Sequence, residues 1–428
     1  MPAQVILQPR PYASLPGKLL LLPLLPIQEP SKDLPSEIWT EILLHSLVSE
    51  VPGSTSWCWS LLSVCKTFRD IALPLIYSRV QISETHSLEK LYGRLQTADQ
   101  KWDSIRRIPY STPGRWVQTM DFSGLRFTGQ QQALLLDSVL TSLFPLVPLL
   151  SELHINPSFV LSRRVLFSLC DRDGATNLRT LTGLTYVSPP SSRPEDDPFV
   201  QLLQCVPNLE QFELVGQGLE PVDYEWITPV EPPSMEYFRP LNLPKLRVLS
   251  LLSMHSSPLM LALLHSPLPA LRKLTLTPYD DIPYPASLTS ALITAHGHSL
   301  TSLLLFTLKS WPTRLRPSPD NLFSIAPKLR HLSLENPLPN LTLNEPHHLQ
   351  ILSIPRPRPE VWRALDRLFK YLPHLHVIRA RDVKWIRTGI STVALSAGVQ
   401  GEMREWKRRL ARRHIRLLDG DWNEDSAA

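Results

Sequence analysis

The residues of this chain best suited to chemistry are its histidines, which could hold a metal ion. They include three close pairs: His296/His298, His347/His348 and His374/His376. None of these pairs is accompanied by Cys, Asp or Glu at the spacing of a zinc site, so we expect no metal. Because each pair precedes a predicted strand, these histidines are predicted to be solvated turn residues.

The cysteines are the other candidates for metal binding, for a disulfide or for nucleophilic attack. Cys58, Cys65, Cys170 and Cys205 are scattered and form no CxxC pair. This pattern favours neither a zinc site nor a secreted disulfide framework. A reducing compartment, the cytoplasm or the nucleus or both, fits best.

Sequence motifs for catalysis or cofactor binding are absent. The chain has no G-x-S-x-G, HExxH, GxxxxGK[ST] or GxGxxG, and only 15 glycines. A nucleophile elbow and a phosphate-binding loop are therefore unsupported. We predict a protein that is not an enzyme and uses no cofactor.

Composition indicates a folded chain made of short elements. Of the 428 residues, 43% are apolar and 19% are charged, which is enough apolar surface for a large core. The 43 prolines far outnumber the glycines, so many short elements that end at Pro are expected. At this length, two or three domains or an elongated repeat array are both possible.

Hydropathy and charge argue against membrane and nucleic-acid partners. The apolar run Leu19 to Ile27 is far shorter than a membrane span and is interrupted by Pro23 and Pro26. The net charge of +5 is concentrated in Glu402 to Leu418, which carries seven Arg or Lys and two Glu. The remainder is balanced, so no broad basic face for nucleic acid is predicted.

After a proline-rich lead-in (1–30), three short amphipathic segments follow. Leu34, Ile38, Ile42 and Leu43 are spaced for one helical face, with Pro35 suited to the first turn. A loop from Ser49 to Ser56 precedes a second helical pattern at Leu61, Val64, Cys65 and Phe68. Beyond Pro74, a third apolar segment ends near Ile82.

The strings LPSEIWTEILLHSL and LLSVCKTFRDIALPLIYSRVQI, joined by a loop, resemble the F-box family, especially its fungal members. The loop between them, with Trp57 and Trp59 at its end, looks longer than usual. In that family the module is a small helical domain that binds a Skp-type adaptor, which is held by a cullin. The resemblance implies these adaptor-binding residues: Leu34, Pro35, Ile38, Ile42, Leu61, Val64, Cys65 and Phe68.

Beyond residue 115 a phrase of the form L-x-x-L-x-L, often preceded by Pro, recurs. Its first leucines are 150, 178, 209, 246, 271, 300, 329, 349 and 375, at intervals of 20 to 37 residues. The period near 28 residues lies in the range of leucine-rich repeats. The end of each phrase alternates like a strand, and the segment before it has a helical pattern, as in Val200 to Cys205 and Leu288 to Ala295.

Repeated helix, turn and strand units place their strands parallel, because right-handed crossovers are strongly favoured. We therefore predict an α/β fold: a short helical F-box (31–82), a helical linker (83–114) and an irregular leucine-rich-repeat solenoid (115–400). Proline-rich insertions at 189–198, 221–240, 278–285 and 355–359 are expected on surface loops, where an unknown protein substrate could bind.

The segment 401–428 is predicted as a basic helix with an acidic tail. Met403, Trp406, Leu410 and Leu417 fall on one stripe, so the helix is expected to cap the last repeat. An import patch or a contact with an acidic partner or an anionic membrane are the alternatives.

Together these features predict a substrate receptor of a ubiquitin ligase, with a Skp-type adaptor, through it a cullin, and a protein target as partners. The first alternative is a leucine-rich-repeat scaffold without a role in ubiquitination, whose N-terminal helices only cap the repeats. The second is a nucleic-acid or membrane binder that acts through the basic tail.

Overall fold

A computed structural model describes residues 34–48, 56–101, 113–189, 193–217, 238–254, 257–277, 288–306, 318–319, 321–334, 338–339, 341–385 and 398–425. The chain divides into two compact units between Ala72 and Leu73. Among the described residues, no helix is both long and apolar enough to cross a membrane.

The first unit is helical. It contains α1 (Ser36–Val48), α2 (Ser56–Val64) and the first part of α3 (Lys66–Ser78). The second predicted helical pattern is thus divided at Cys65, which lies between α2 and α3. Pro74, expected to interrupt the chain, lies inside α3. It removes one hydrogen bond, to the carbonyl of Asp70. Since Asp70 is exposed, solvent can replace that bond.

The second unit is built on a parallel sheet whose strands follow one another in sequence order. In the described part of the chain the strands are β1 (Arg79–Gln81), β2 (Thr119–Phe122), β3 (Glu152–Ile155), β4 (Thr180–Tyr186), β5 (Gln211–Gly216), β6 (Val248–Leu252), β7 (Lys273–Leu276), β8 (Ser302–Leu305), β9 (His331–Ser333), β10 (Ile351–Ile354), β11 (Val377–Ala380) and β12 (Arg416–Leu418). Such an order, with each strand paired only to its neighbours in sequence, defines a solenoid.

Helices connect most of these strands. They are α4 (Thr85–Gln100), α5 (Gly129–Leu143), α6 (Arg163–Asp171), α7 (Pro198–Cys205), α8 (Pro258–Leu264), α9 (Leu288–His296), α10 (Leu322–Ile325), α11 (Pro359–Leu368) and α12 (Gly398–Ala411). The 20-residue interval between Leu329 and Leu349 has no helix among its described residues. The predicted alternation of helix and strand is confirmed.

A ladder of buried leucines runs through the middle of the sheet. The register places Leu249, Leu274, Leu303, Leu332 and Leu352 side by side in β6 to β10. Each is at most 2% exposed. The nine first leucines of the phrases are also buried. The predicted α/β solenoid of leucine-rich-repeat type, and the phase of its repeats, are confirmed.

The sheet extends further at both ends than the predicted limits, 115 and 400. β1 lies within the segment assigned to the F-box, yet it pairs with β2. In β2 and just before it, the core positions are Val117, Met120 and Phe122, which keep the L-x-x-L-x-L spacing without any leucine. At the other end β12 pairs with β11.

The described residues of the predicted linker, 83–101 and 113–114, are part of the solenoid. It contains α4, whose Leu88 and Leu95 are buried in the same apolar core as the repeat leucines. α4 therefore provides the crossover between β1 and β2; residues 102–112 lie outside the described part.

Capping side chains and prolines begin several helices. Ser162 accepts a hydrogen bond from the Val165 amide at the start of α6, and Asp197 accepts one from the Phe199 amide at 2.8 Å at the start of α7. Proline occupies the first positions of α7, α8 and α11, where its missing N–H costs nothing. The abundance of proline thus follows from many short helices.

Two histidines predicted to be solvated are buried, and that prediction is wrong for them. The ring Nε2 of His296 donates to the carbonyl of Leu263 and that of His347 to the carbonyl of Ala326, each at 3.1 Å. The Nδ1 of His347 accepts from the Leu349 amide, also at 3.1 Å. These hydrogen bonds connect each of the two repeats to the preceding repeat and satisfy the buried imidazoles.

The other four of these histidines are exposed, as predicted: His298, His348, His374 and His376. Among the described residues, no group of three His, Cys, Asp or Glu side chains is arranged to hold a metal ion.

The stability of the solenoid should depend on these buried histidines at acidic pH. Burial lowers the pKa of His296 and His347 below the ordinary value of 6.5, and lowers that of His331 to about 4. Below pH 6.5 the unfolded chain binds protons that the native state does not. We therefore expect the free energy of unfolding to fall as the pH drops below 6.5, by at most about 1.4 kcal/mol per pH unit for each histidine.

Urea unfolding between pH 7.5 and pH 5 measures this slope. The double variant His296→Gln/His347→Gln should flatten it. The control His298→Gln/His348→Gln removes the exposed partner of each pair, whose charge lowers the pKa of the buried histidine less than burial does, so it should change the slope much less. Equal slopes in the two variants would contradict the assignment.

Candidate protein-binding surfaces

One face of α1 presents apolar side chains to solvent. Leu34, Ile38 and Ile42 are 45%, 46% and 42% exposed. They follow one another at intervals of four residues, so they lie along one side of the helix and its entry. Leu43, by contrast, is only 4% exposed. We call Leu34, Ile38 and Ile42 the α1 stripe.

The remaining predicted adaptor-binding residues fall into two groups. Pro35 and Cys65 are exposed, and Val64, at the end of α2, is 63% exposed. Leu61 and Phe68 are partly buried. The sulfur of Cys65 accepts a hydrogen bond from the Phe68 amide at 3.4 Å. Cys65 thus helps to begin α3 as well as lying at the surface.

Trp39, which the sequence analysis did not single out, is an internal contact of the first unit. Its ring packs against that of Phe68 with 4.8 Å between centroids and links α1 to α3. Position 39 precedes the patterned Ile42 by three residues, and an i, i+3 pattern including it would have been the signal. Phe68, which the F-box resemblance assigns to adaptor binding, therefore also packs inside the first unit.

In the described part of the first unit, the side chains of Leu43 and Ala72 are buried apolar ones. The α1 stripe lies on the same helical module but is exposed. Exposed aliphatic side chains clustered in this way are typical of a protein-binding surface.

At the other end of the chain, α12 has a buried apolar face. Met403, Trp406 and Leu410 are at most 3% exposed, and the Trp406 ring meets the Trp362 ring of α11 edge-on, with centroids 5.0 Å apart. Leu417, predicted on the same helical stripe, lies instead in β12. The helix ends at Ala411 and the chain turns at His414, whose φ of 60° is left-handed, before the strand begins.

The basic side chains of α12 and of the turn after it are largely engaged in ion pairs. Lys407 lies 3.6 Å from Asp425, and Arg409 lies 2.7 Å from Glu405. Arg413, just beyond the end of α12, lies 2.9 Å from Asp366 of α11. The acidic tail therefore supplies the partner of Lys407.

The tail beyond β12 is anchored by one buried carboxylate. Asp419, 2% exposed, accepts hydrogen bonds from the backbone amides of Trp385, Asp421 and Asn423 at 2.8 to 3.1 Å. Leu418 forms an isolated antiparallel bridge with Glu424. The tail therefore folds back beside the last strand.

Trp422 of this tail reaches the exposed face of the sheet. The guanidinium of Arg379, in β11, lies 4.4 Å from its ring centroid, and the ring of His331, in β9, lies 5.9 Å away. Neither contact followed from the sequence pattern, because residues 331, 379 and 422 come together only when the strands are in register.

The proline-rich insertions predicted as contact loops lie largely outside the described residues. This holds for 221–237, 278–285 and 190–192. The insertion 355–359 is described and leads into α11, with Pro359 as its first residue.

Comparison with known proteins adds little to these observations. No protein-family model matches the chain, and no curated protein matches it. Among solved structures it is similar to a chain of the crystal structure of the Rad7 and Elc1 complex in yeast, with 14% identity, over 81% of this chain and 88% of that chain, and with a TM-score of 0.29. We therefore base the function on the residues of this chain.

Proposed function

We propose that this protein is a non-catalytic substrate receptor of an SCF-type ubiquitin ligase. Its first unit acts as an F-box that binds a Skp-type adaptor and, through it, a cullin. Its solenoid holds a target protein and so raises the concentration of that target near the ligase. It acts in the cytoplasm, in the nucleus or in both.

The observation that carries the proposal is the α1 stripe. Leu34 and Ile38 coincide with the positions that the F-box resemblance assigns to the adaptor. Both are exposed in the isolated chain although they are large and apolar. Covering such side chains with a partner surface removes apolar area from water at about 25 cal/mol per Å². Val64 and Cys65, the exposed residues of the second motif, would extend the contact.

The double variant Leu34→Ala/Ile38→Ala should weaken adaptor binding at least tenfold. Two central apolar contacts commonly cost more than about 1 kcal/mol each when truncated. Because both side chains are exposed, the melting temperature should change little. Calorimetric titration of the purified chain with a Skp-type adaptor measures the affinity.

Leu134→Ala/Leu135→Ala is the matched control, since these two leucines of α5 are 64% and 45% exposed and lie in the second unit. It should bind the adaptor like the wild type. The proposal is wrong if the α1 variant retains wild-type affinity. If the unaltered chain binds no Skp-type adaptor at all, the protein is instead a leucine-rich-repeat scaffold without a role in ubiquitination.

A further inference from the structure

A row of basic side chains follows the edge of the sheet at which the strands begin. Lys245, Arg247, Arg272, Lys273, Lys328 and Arg330 are all exposed. The arginines occupy the position directly after the first leucine of their phrase, as in KLRVLSL, ALRKLTL and KLRHLSL. We call these six residues the basic row.

Backbone hydrogen bonds hold the arginines of this row in register. The amide of Arg272 donates to the carbonyl of Arg247 at 2.9 Å, that of Thr301 to Arg272 at 2.8 Å, and that of Arg330 to Thr301 at 2.8 Å. The arginines therefore immediately precede β6, β7 and β9, and Thr301 immediately precedes β8. With strands about 4.8 Å apart, Arg247 and Arg330 start about 14 Å from each other.

Among the described residues, the basic row differs from the other basic clusters because no acidic side chain lies within ion-pair distance of its members. On α12 and just after it, Lys407, Arg409 and Arg413 each have an acidic partner. Arg179, two strands before the row, is 4.0 Å from Glu210. Within the described residues, no member of the basic row makes an ion pair. Six like charges are thus kept together although their repulsion does not favour folding.

The pKa of a neighbouring histidine is consistent with this concentration of positive charge. The imidazole of His331, next to Arg330, has its pKa lowered by burial first and then by the positive charges of Arg379 and Lys273.

We propose that the basic row binds an acidic, extended segment of the target protein. The inference rests on the proposed function in that it specifies the chemistry of the target, but the binding itself requires no adaptor. An extended peptide rises about 3.3 Å per residue, so two acidic residues three positions apart are separated by about 10 Å. That distance matches the separation of Arg272 and Arg330, which lie two strands apart. The guanidinium fork suits paired oxygens of a carboxylate.

A nucleic acid fits the basic row less well. The row crosses the starts of four strands. Proteins that bind single strands combine basic grooves with free aromatic platforms on which the bases stack. The exposed aromatic ring near the row, that of Trp422, is already covered by the Arg379 guanidinium, 4.4 Å from its centroid. Protein binding through charged side chains is therefore the interpretation that the composition of the row favours.

The test measures fluorescence anisotropy of a fluorescein-labelled octaglutamate peptide with the full-length chain at low salt. The variant Arg247→Gln/Arg272→Gln/Arg330→Gln should weaken binding about tenfold, because each exposed pair contributes modestly. The control Arg164→Gln/Arg363→Gln/Arg367→Gln removes the same charge from exposed positions of α6 and α11 and should change the affinity less than twofold.

Equal losses in both variants would show only a general attraction to a basic protein and would overturn the proposal. It would also be overturned if a single-stranded oligonucleotide or vesicles containing phosphatidylserine bound more tightly than the peptide and lost that binding in the same variant. Adaptor affinity, measured separately, should be unaffected in both variants. Loss of adaptor binding by the α1 variant without loss of peptide binding would separate the two functions.

Discussion

Leu274→Ala is expected to lower the free energy of unfolding of the solenoid by about 2 to 5 kcal/mol. Leu274 is fully buried and pairs with Leu249 on one side and Leu303 on the other. Truncating it leaves a cavity in the middle of the leucine ladder, where neighbours on both sides are held by the sheet. Leu332→Ala, two strands further on, should have an effect of similar size.

Lys273→Ala is the control, because Lys273 lies next to Leu274 in β7 but is exposed. It should change stability by no more than about 0.5 kcal/mol. Chemical denaturation of the three variants gives the comparison. If all three unfold at the same denaturant concentration and with the same slope, the assigned phase of the repeats is wrong.

Trp406→Ala is the second change expected to have a large effect, a loss of about 3 to 5 kcal/mol. Trp406 is 3% exposed and packs edge-on against Trp362, so its removal opens the contact between α12 and α11. Thermal unfolding measured by calorimetry gives the loss.

The matched control is Arg408→Gln/Arg412→Gln, which changes an exposed residue of the same helix and an exposed residue of the turn directly after it. Because exposed charges contribute little, this double variant should melt within a few degrees of the wild type. A chain truncated after residue 397 lacks both α12 and β12 and should melt at a lower temperature than either variant. Retention of the wild-type melting temperature by the truncated chain would contradict the role of α12 as a cap.

The leucines made most of the solenoid predictable. A buried position filled by leucine in nine phrases is visible in the sequence because the side chain and the spacing recur together. Where Val117, Met120 and Phe122 fill the same positions, the spacing persists but the residue type changes. The leucine pattern therefore does not indicate β2. Leu417 fits a helical stripe by spacing alone, and only the turn at His414 shows that the helix has already ended.

Contacts that depend on the register could not be predicted. His296 and His347 follow helical or turn segments in the sequence, and nothing local indicates that a carbonyl of the preceding unit lies within reach. Arg247, Arg272 and Arg330 read as isolated surface residues, 25 and 58 positions apart, until the backbone bonds align them. The α1 stripe, in contrast, could be predicted because helical spacing of four residues is a local property.

The fold-back of the tail has a consequence for how the sheet ends. The outer edge of a terminal strand carries unpaired amides and carbonyls that can pair with a strand of another molecule. Beside β12, part of that edge is occupied by the chain itself, through the bridge between Leu418 and Glu424 and the bond from the Asp419 amide to the Asn423 carbonyl at 3.0 Å. A second copy therefore cannot pair a strand of its own with the sheet at these positions.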